Sequence, residues 1–284
     1  MRRKENRSYE KSKRNQFRTM KYQTSKVLAF QFAALLAAMP GLMAETPEEK
    51  GLRIAVESDK RDTGFGDTVV DMEMILTNRH GESSTRKMSL KTLEGVGDGD
   101  KTLITFDQPR DVKGTAFLSY THKVGADDQW LYLPALKRVK RIASNNKSGP
   151  FVGSEFAYED MTSQEVEKYT YKYIGDTDLD GMKCFQIERY PVDPKSGYTR
   201  QVGWVDKEHY RVIKIDFYDR KNSLLKTLTF NGYQQYLDKF WRAESMRMVN
   251  HQTGKSTELL WKNYVFGNGY TERGFDQRSL QRAR

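Results

Sequence analysis

The chain has 284 residues, 37% of them hydrophobic, 30% charged and 12% aromatic, with 21 Gly and 7 Pro, which excludes a collagen-like or globally disordered chain and allows one large or two small domains. A single cysteine, Cys184, excludes an internal disulfide framework and a cysteine-built zinc cage. The net charge of +10 is concentrated at the start: residues 1–26 hold ten Lys and Arg against two acids, which leaves residues 45–284 at +2, so the basic balance is no argument for a nucleic-acid partner.

Taken in chain order, the first feature is a leader. Val27 to Met39 is uncharged and apolar, follows Lys21 and Lys26, and ends at Pro40-Gly41-Leu42-Met43-Ala44. A basic segment, a short apolar segment and a small residue before the cut make up a secretory signal. The apolar stretch is shorter than the roughly 20 residues a membrane-spanning helix needs. Cleavage is expected after Ala44, leaving 45–284 as one exported, periplasmic domain. Met20 would open a compact leader, and translation is expected to start there. No cysteine directly follows the apolar stretch, so lipidation as a lipoprotein is not expected.

Thr46-Pro47-Glu48-Glu49 opens a helix: Thr46 is an N-cap, Pro47 suits the first helical position, and Glu49 completes a capping box. Leu52, Ala55, Val56 and Asp59 are expected to trace its packed face. After Gly66 the period changes to two. Val70, Met72, Met74 and Leu76 alternate with Asp71, Glu73, Ile75 and Thr77, and Asn78 to Gly81 is a turn. Further strands are expected over 85–93, 102–106, 115–121, 129–133, 166–174, 183–190, 199–205, 211–218, 224–230, 242–250 and 256–265. Turn residues punctuate the gaps. Short helices are expected near Tyr158 and Asp276. The absence of βαβ alternation disfavours a Rossmann or TIM fold. A mostly β (α+β) fold is predicted: one long antiparallel meander that must curl, because open twisted sheets rarely exceed ~10 strands.

Few motifs carry chemistry. Asp176-Thr177-Asp178-Leu179-Asp180-Gly181 matches the first half of a calcium loop. The closing bidentate Glu is replaced by Ile187 and the flanks are strands, so a hairpin turn is the better reading. Gly254-Lys255-Ser256 lacks the strand–loop–helix context of a phosphate loop. His80, His122, His209 and His251 stand at no metal-ligand spacing, and there is no G-x-S-x-G. No catalytic residue, metal site or cofactor is expected.

The most unusual stretch is 127–161. Gln129-Trp130-Leu131-Tyr132-Leu133-Pro134 is an aromatic strand closed by proline. Lys137-Arg138-Val139-Lys140-Arg141-Ile142 follows, and then Pro150-Phe151-Val152-Gly153-Ser154-Glu155-Phe156-Ala157-Tyr158. The basic run suits a charge-blunted edge strand or a contact to an anionic headgroup. Residues 130–142 (WLYLPALKRVKRI) followed by 150–161 (PFVGSEFAYEDM) resemble the signature block of the periplasmic outer membrane lipoprotein-sorting proteins, a LolA-like group. Met74 to Asn78, Gly81 to Arg86 and Asp107 to Thr115 fit the same family. The resemblance implies an unclosed antiparallel β-barrel with helices as a lid, and a non-enzymatic carrier of an acylated molecule, a lipid or lipoprotein, across the periplasm. It also implies an inner-membrane transporter of the RND/MMPL type and an outer-membrane acceptor as partners. An envelope lipid sensor on the same fold is the alternative. Alternation puts Trp130 and Tyr132 on one face and Leu131 and Leu133 on the other. Both faces are apolar, so the pattern leaves open which one faces a cavity. We place the cargo contacts on Trp130 and Tyr132, with Phe151 and Phe156 at the mouth, because aromatics give broad, unselective contact. Arg138, Lys140 and Arg141 are the candidate headgroup contacts, with Pro134 expected to reset the register before them.

Overall fold

The computed structural model describes residues 44–282. The leader 1–43 lies outside the described residues. No helix among the described residues is long and apolar enough to cross a membrane.

Helix α1 spans Pro47–Asp62. Six strands follow as a meander: β1 Asp67–Thr77, β2 Ser83–Leu93, β3 Lys101–Gln108, β4 Ala116–Tyr120, β5 Asp128–Leu133 and β6 Arg138–Arg141. Seven more form a second meander: β7 Tyr169–Leu179, β8 Met182–Pro191, β9 Arg200–Asp206, β10 Val212–Tyr218, β11 Leu224–Tyr236, β12 Phe240–Asn250 and β13 Ser256–Phe266. A short helix, α2, closes the domain at Gln277–Arg282. The two meanders join through an antiparallel β1–β13 pairing, giving one sheet of 13 strands in the order β6-β5-β4-β3-β2-β1-β13-β12-β11-β10-β9-β8-β7. Its ends are β6 and β7, which leaves the curled sheet an unclosed barrel.

The alternation read from β1 sets the inner face. Val70, Met72 and Met74 are buried, and Met72 and Met74 pack with Met88, Ile104, Phe106, Phe117, Leu131, Ile215, Phe217, Leu228, Met248 and Leu259 in one inner cluster. A strap, residues 142–168, runs between the two sheet ends through four 3-10 turns. It lays Phe151 and Phe156 into that cluster. Phe151 sits against Phe106, Phe117 and Tyr158 at ring distances of 6.0, 5.2 and 5.6 Å. The strap is pinned by a buried ion pair, Lys226 Nζ to Asp160 Oδ2 at 2.8 Å. Tyr198 donates to the same carboxylate at 2.9 Å and the Ala157 N–H at 2.7 Å, so the buried charges are fully partnered.

Over β3–β5 the outer face is also covered. Leu103, Ala116, Leu118 and Trp130 pack there with Phe275 and Leu280 of the C-terminal segment. Asp67 anchors that segment by accepting from the N–H groups of Asn268, Gly269 and Tyr270 at 2.6, 2.9 and 3.0 Å. Burial alone would raise the Asp67 carboxyl, but these hydrogen bonds outweigh it and hold it below the usual range.

Candidate functional site

Helix α1 lies over the inner face of the sheet. Its start follows the capping box: the Thr46 hydroxyl accepts from the Glu49 N–H at 3.2 Å, and the Glu49 carboxylate accepts from the Thr46 N–H at 2.9 Å. Its packed stripe keeps Ala55 and Asp59 of the sequence expectation but not Leu52 and Val56. Gly51 and Ile54 are buried, whereas Leu52 and Val56 are each 46% exposed. Gly51 is the cause. A Cβ there would lie 2.8–2.9 Å from backbone atoms of Lys172 and Tyr173 on β7, so backbone-to-backbone contact sets the helix rotation. Ile54 then packs with Tyr171, Ile187 and Val205. Further along, the Ser58 hydroxyl donates to the Tyr210 carbonyl at 2.7 Å, Arg61 donates to the Glu208 carbonyl at 2.9 Å, and Asp62 pairs with Arg242.

Between α1, the strap and the inner face lies a cavity of about 550 Å³, within the ~300–1,000 Å³ range of small-molecule sites. Its interior wall is apolar: Leu90, Phe156, Met161, Val212, Ile215, Phe217, Leu228, Phe230, Met246, Leu259 and Trp261. Leu90, Val212, Phe230, Met246 and Trp261 pack on the inner cluster yet are only half-buried, as side chains lining a cavity are.

The mouth is acidic. Asp59 and Asp62 of α1, Glu94, Asp98 and Asp100 around the β2–β3 loop, and Glu165 of the strap all line the cavity. The Glu94 carboxylate accepts from the N–H groups of Gly64 and Gly66 at 2.6 and 2.7 Å. Asp100 accepts from the Gly95 N–H at 3.0 Å and the Ser163 hydroxyl at 2.9 Å. Burial raises the carboxyls of Asp59, Asp62 and Asp100 above the usual range. Burial, reinforced by the neighbouring Asp100, pushes Glu165 up to about 7. Asp98 goes the other way: a 2.7 Å hydrogen bond with His122 Nδ1 holds it down to about 2 and raises His122 in turn.

The structure separates the sequence-predicted site residues. Phe156 lines the cavity. Phe151, on the strap itself, is fully buried in the inner cluster and is core, not mouth. Trp130 and Tyr132 lie on the face opposite the cavity, packed with Phe275 and Leu280, and Trp130 stands edge-on to Tyr120 at 5.0 Å. Both faces of β5 are covered, as its two apolar parities implied, but Leu131 and Leu133 are the inward pair. The C-terminal segment that claims the other face is more than 140 residues away in sequence, which is why local alternation could not assign it. Arg138, Lys140 and Arg141 are exposed on the edge strand β6, with Arg141 paired to Asp128, and none lines the cavity. The 3-10 turn Pro134–Leu136 does reset the register: Arg138 and Lys140 stand opposite Leu133 and Leu131, not on the parity of Trp130. Blunting of the sheet edge accounts for this strand.

The sequence reading missed the mouth carboxylates and the β10–β13 wall. Asp176 and Asp178 are held by lysines, Lys207 at 2.5 Å and Lys183 at 2.8 Å. Asp178 also accepts from the Gly181 N–H at 2.7 Å in a plain hairpin turn between β7 and β8. Among the described residues no three His, Cys, Asp or Glu are arranged to hold a metal ion.

A family model described as an uncharacterized protein matches residues 98–282. Among solved structures, a domain assigned to the outer membrane lipoprotein-sorting proteins of Vibrio parahaemolyticus is 61% identical with a TM-score of 0.81; the match covers 82% of this chain and 99% of that one. A DUF1329 family protein from Desulfovibrio piger is 32% identical with a TM-score of 0.78, over 83% of this chain and 99% of that one. A LolA superfamily protein from Nitrosomonas europaea shares the fold at 16% identity and a TM-score of 0.66, over 81% and 98% of the two chains. No curated protein sequence matches the chain.

Proposed function

The chain belongs to the family of the outer membrane lipoprotein-sorting and DUF1329 proteins, and on that premise we propose that it is a non-enzymatic periplasmic carrier, holding the acyl part of a lipid or lipoprotein under α1 for transfer toward the outer membrane. The observation that carries the proposal is the cavity of about 550 Å³ with an apolar wall and a helix as its roof. Burial of acyl surface supplies the affinity, about 25 cal/mol per Å² of apolar area. Of the aromatics expected from sequence, Phe156 remains a cargo contact of this proposal, joined by Phe230, Met246 and Trp261. An RND/MMPL-type transporter and an outer-membrane acceptor are the partners such a route requires.

The test is native mass spectrometry of protein purified from the envelope without detergent. An acylated molecule should co-purify, on a chain whose N-terminus is Glu45. Transfer of that molecule between donor and acceptor vesicles then separates a carrier from a lipid sensor. A protein that neither carries nor takes up any acyl chain overturns the proposal.

A further inference from the structure

The cavity is where cargo is held on the carrier reading, and its polarity is not uniform. Resting on that reading, we propose that the polar end of the cargo carries a positive charge: an amine-bearing acyl molecule, not one ending in an anionic phosphate.

The cavity itself is the ligand site, and the charges around its mouth decide which end of an amphiphile fits there. Six carboxylates, Asp59, Asp62, Glu94, Asp98, Asp100 and Glu165, line the mouth, while Lys123 and Arg189 are the bases that reach the lining. Arg189 is committed elsewhere: it donates to Gln201 Oε1 at 2.7 Å and lies over the Tyr169 ring. Four of the carboxylates have hydrogen-bond or ion-pair partners within the fold. Asp59 and Glu165 line the cavity without such a partner for their carboxylates.

A partly buried, unpaired carboxylate costs free energy that an amide or hydroxyl of similar size would not. Glu165 is half-buried, whereas Asp59 beside it is exposed; the fold gains no packing from the charge on Glu165, so that charge calls for an account. A metal ion is a poor one, because no three of these groups are arranged to hold it. A bulkier organic cation needs no such geometry. It would sit at the mouth with its chain on the apolar wall, the one arrangement that satisfies both surfaces. An anionic headgroup would instead meet repulsion from six carboxylates, opposed among the free bases of the lining by Lys123 alone.

The proton affinity of Glu165 agrees. Burial raises its pKa most, Asp100 and Asp59 raise it further and Lys168 and Lys123 lower it, to about 7. Lys168 is already paired with Asp127. In the empty cavity a proton does for Glu165 what a cargo cation would do. Cation binding therefore displaces a proton, and affinity should rise with pH through 7.

The experiment is calorimetric titration of the purified protein with dodecylammonium, dodecyl phosphate and dodecanol, each below its micelle concentration. Near pH 8, dodecylammonium should bind at least about ten-fold more tightly than dodecyl phosphate, with dodecanol between them. The ratio of the two charged affinities should fall several-fold near pH 5.5 and in the Glu165→Gln and Asp59→Asn variants. A merely structural effect of either variant would weaken both probes alike and leave the ratio unchanged. Dodecyl phosphate binding as tightly as dodecylammonium overturns the inference. Binding of dodecanol without any charge preference overturns it too, while leaving the carrier reading intact. Binding of none of the three overturns both.

Discussion

Replacing Gly51 by alanine sets two effects of opposite sign against each other. In an exposed helix interior the substitution gains about 1 kcal/mol of helix propensity. At Gly51 the new Cβ would lie 2.8 Å from the Tyr173 nitrogen and 2.9 Å from the Lys172 carbon and nitrogen. All three are backbone atoms of the edge strand β7, so no side-chain rotation relieves the clash. Reaching ordinary van der Waals contact requires α1 to lift by about 0.6 Å. That displacement loosens Ile54 from Tyr171, Ile187 and Val205, all of them buried. Overpacking of this kind costs about 1–3 kcal/mol. Against the propensity gain, the net is a destabilisation of up to about 2 kcal/mol. For a domain of this size that lowers Tm by up to about 8 °C. Thermal unfolding followed by circular dichroism reads it, with Val56→Ala on the exposed face of the same helix as the control. Valine at position 51 should lower Tm further. A Gly51→Ala protein more stable than the parent would refute the claim that backbone contact at Gly51 sets the seat of the helix.

Trp130→Ala should cost about 3–5 kcal/mol, the usual cost of truncating a buried aromatic, and lower Tm while leaving co-purified lipid at the parental level; loss of lipid at unchanged Tm would put Trp130 in the cargo site after all. Lys226→Ala strands the Asp160 carboxylate, whose side chain is 7% exposed, and should destabilise by about 3–5 kcal/mol in urea unfolding; a cost under about 1 kcal/mol would show that the strap is not held by this pair. Glu165 has a folded pKa raised to about 7 from 4.5, so the folded state keeps a proton that the unfolded chain releases, and stability falls as pH rises from about 4.5 through 7. Because the group is only half-buried, the discounted effect is about 1 kcal/mol. Glu165→Gln should remove that part of the slope between pH 5 and 8, and an unchanged slope would mean that the carboxyl titrates normally.

The period-two alternation of Val70, Met72, Met74 and Leu76 was enough to place β1, and strand patterning located the later strands except β6, ending β7 and β11 several residues short of Leu179 and Tyr236. The Thr46–Glu49 box placed the start of α1, and Pro134 marked the register break before β6. These features are legible because each depends on residues within a few positions of one another, through hydrogen bonds or side-chain alternation along one strand. The pairing of β1 with β13, which turns two meanders into one curled sheet, depends on strands at opposite ends of the domain. Which face of β5 looks inward depended on Phe275 and Leu280 covering the other, since apolar alternation records that a face is buried but not what buries it. The rotation of α1 was decided by a glycine, a residue with no side chain to register in a hydrophobic pattern. The acidic mouth has the same origin: Asp59, Glu94, Asp100 and Glu165 come from a helix, a loop and the strap, and each reads alone as an ordinary solvated charge. Only the curl of the sheet brings them to one end of the cavity, where lost water and mutual repulsion raise the proton affinities of Asp59, Asp100 and Glu165.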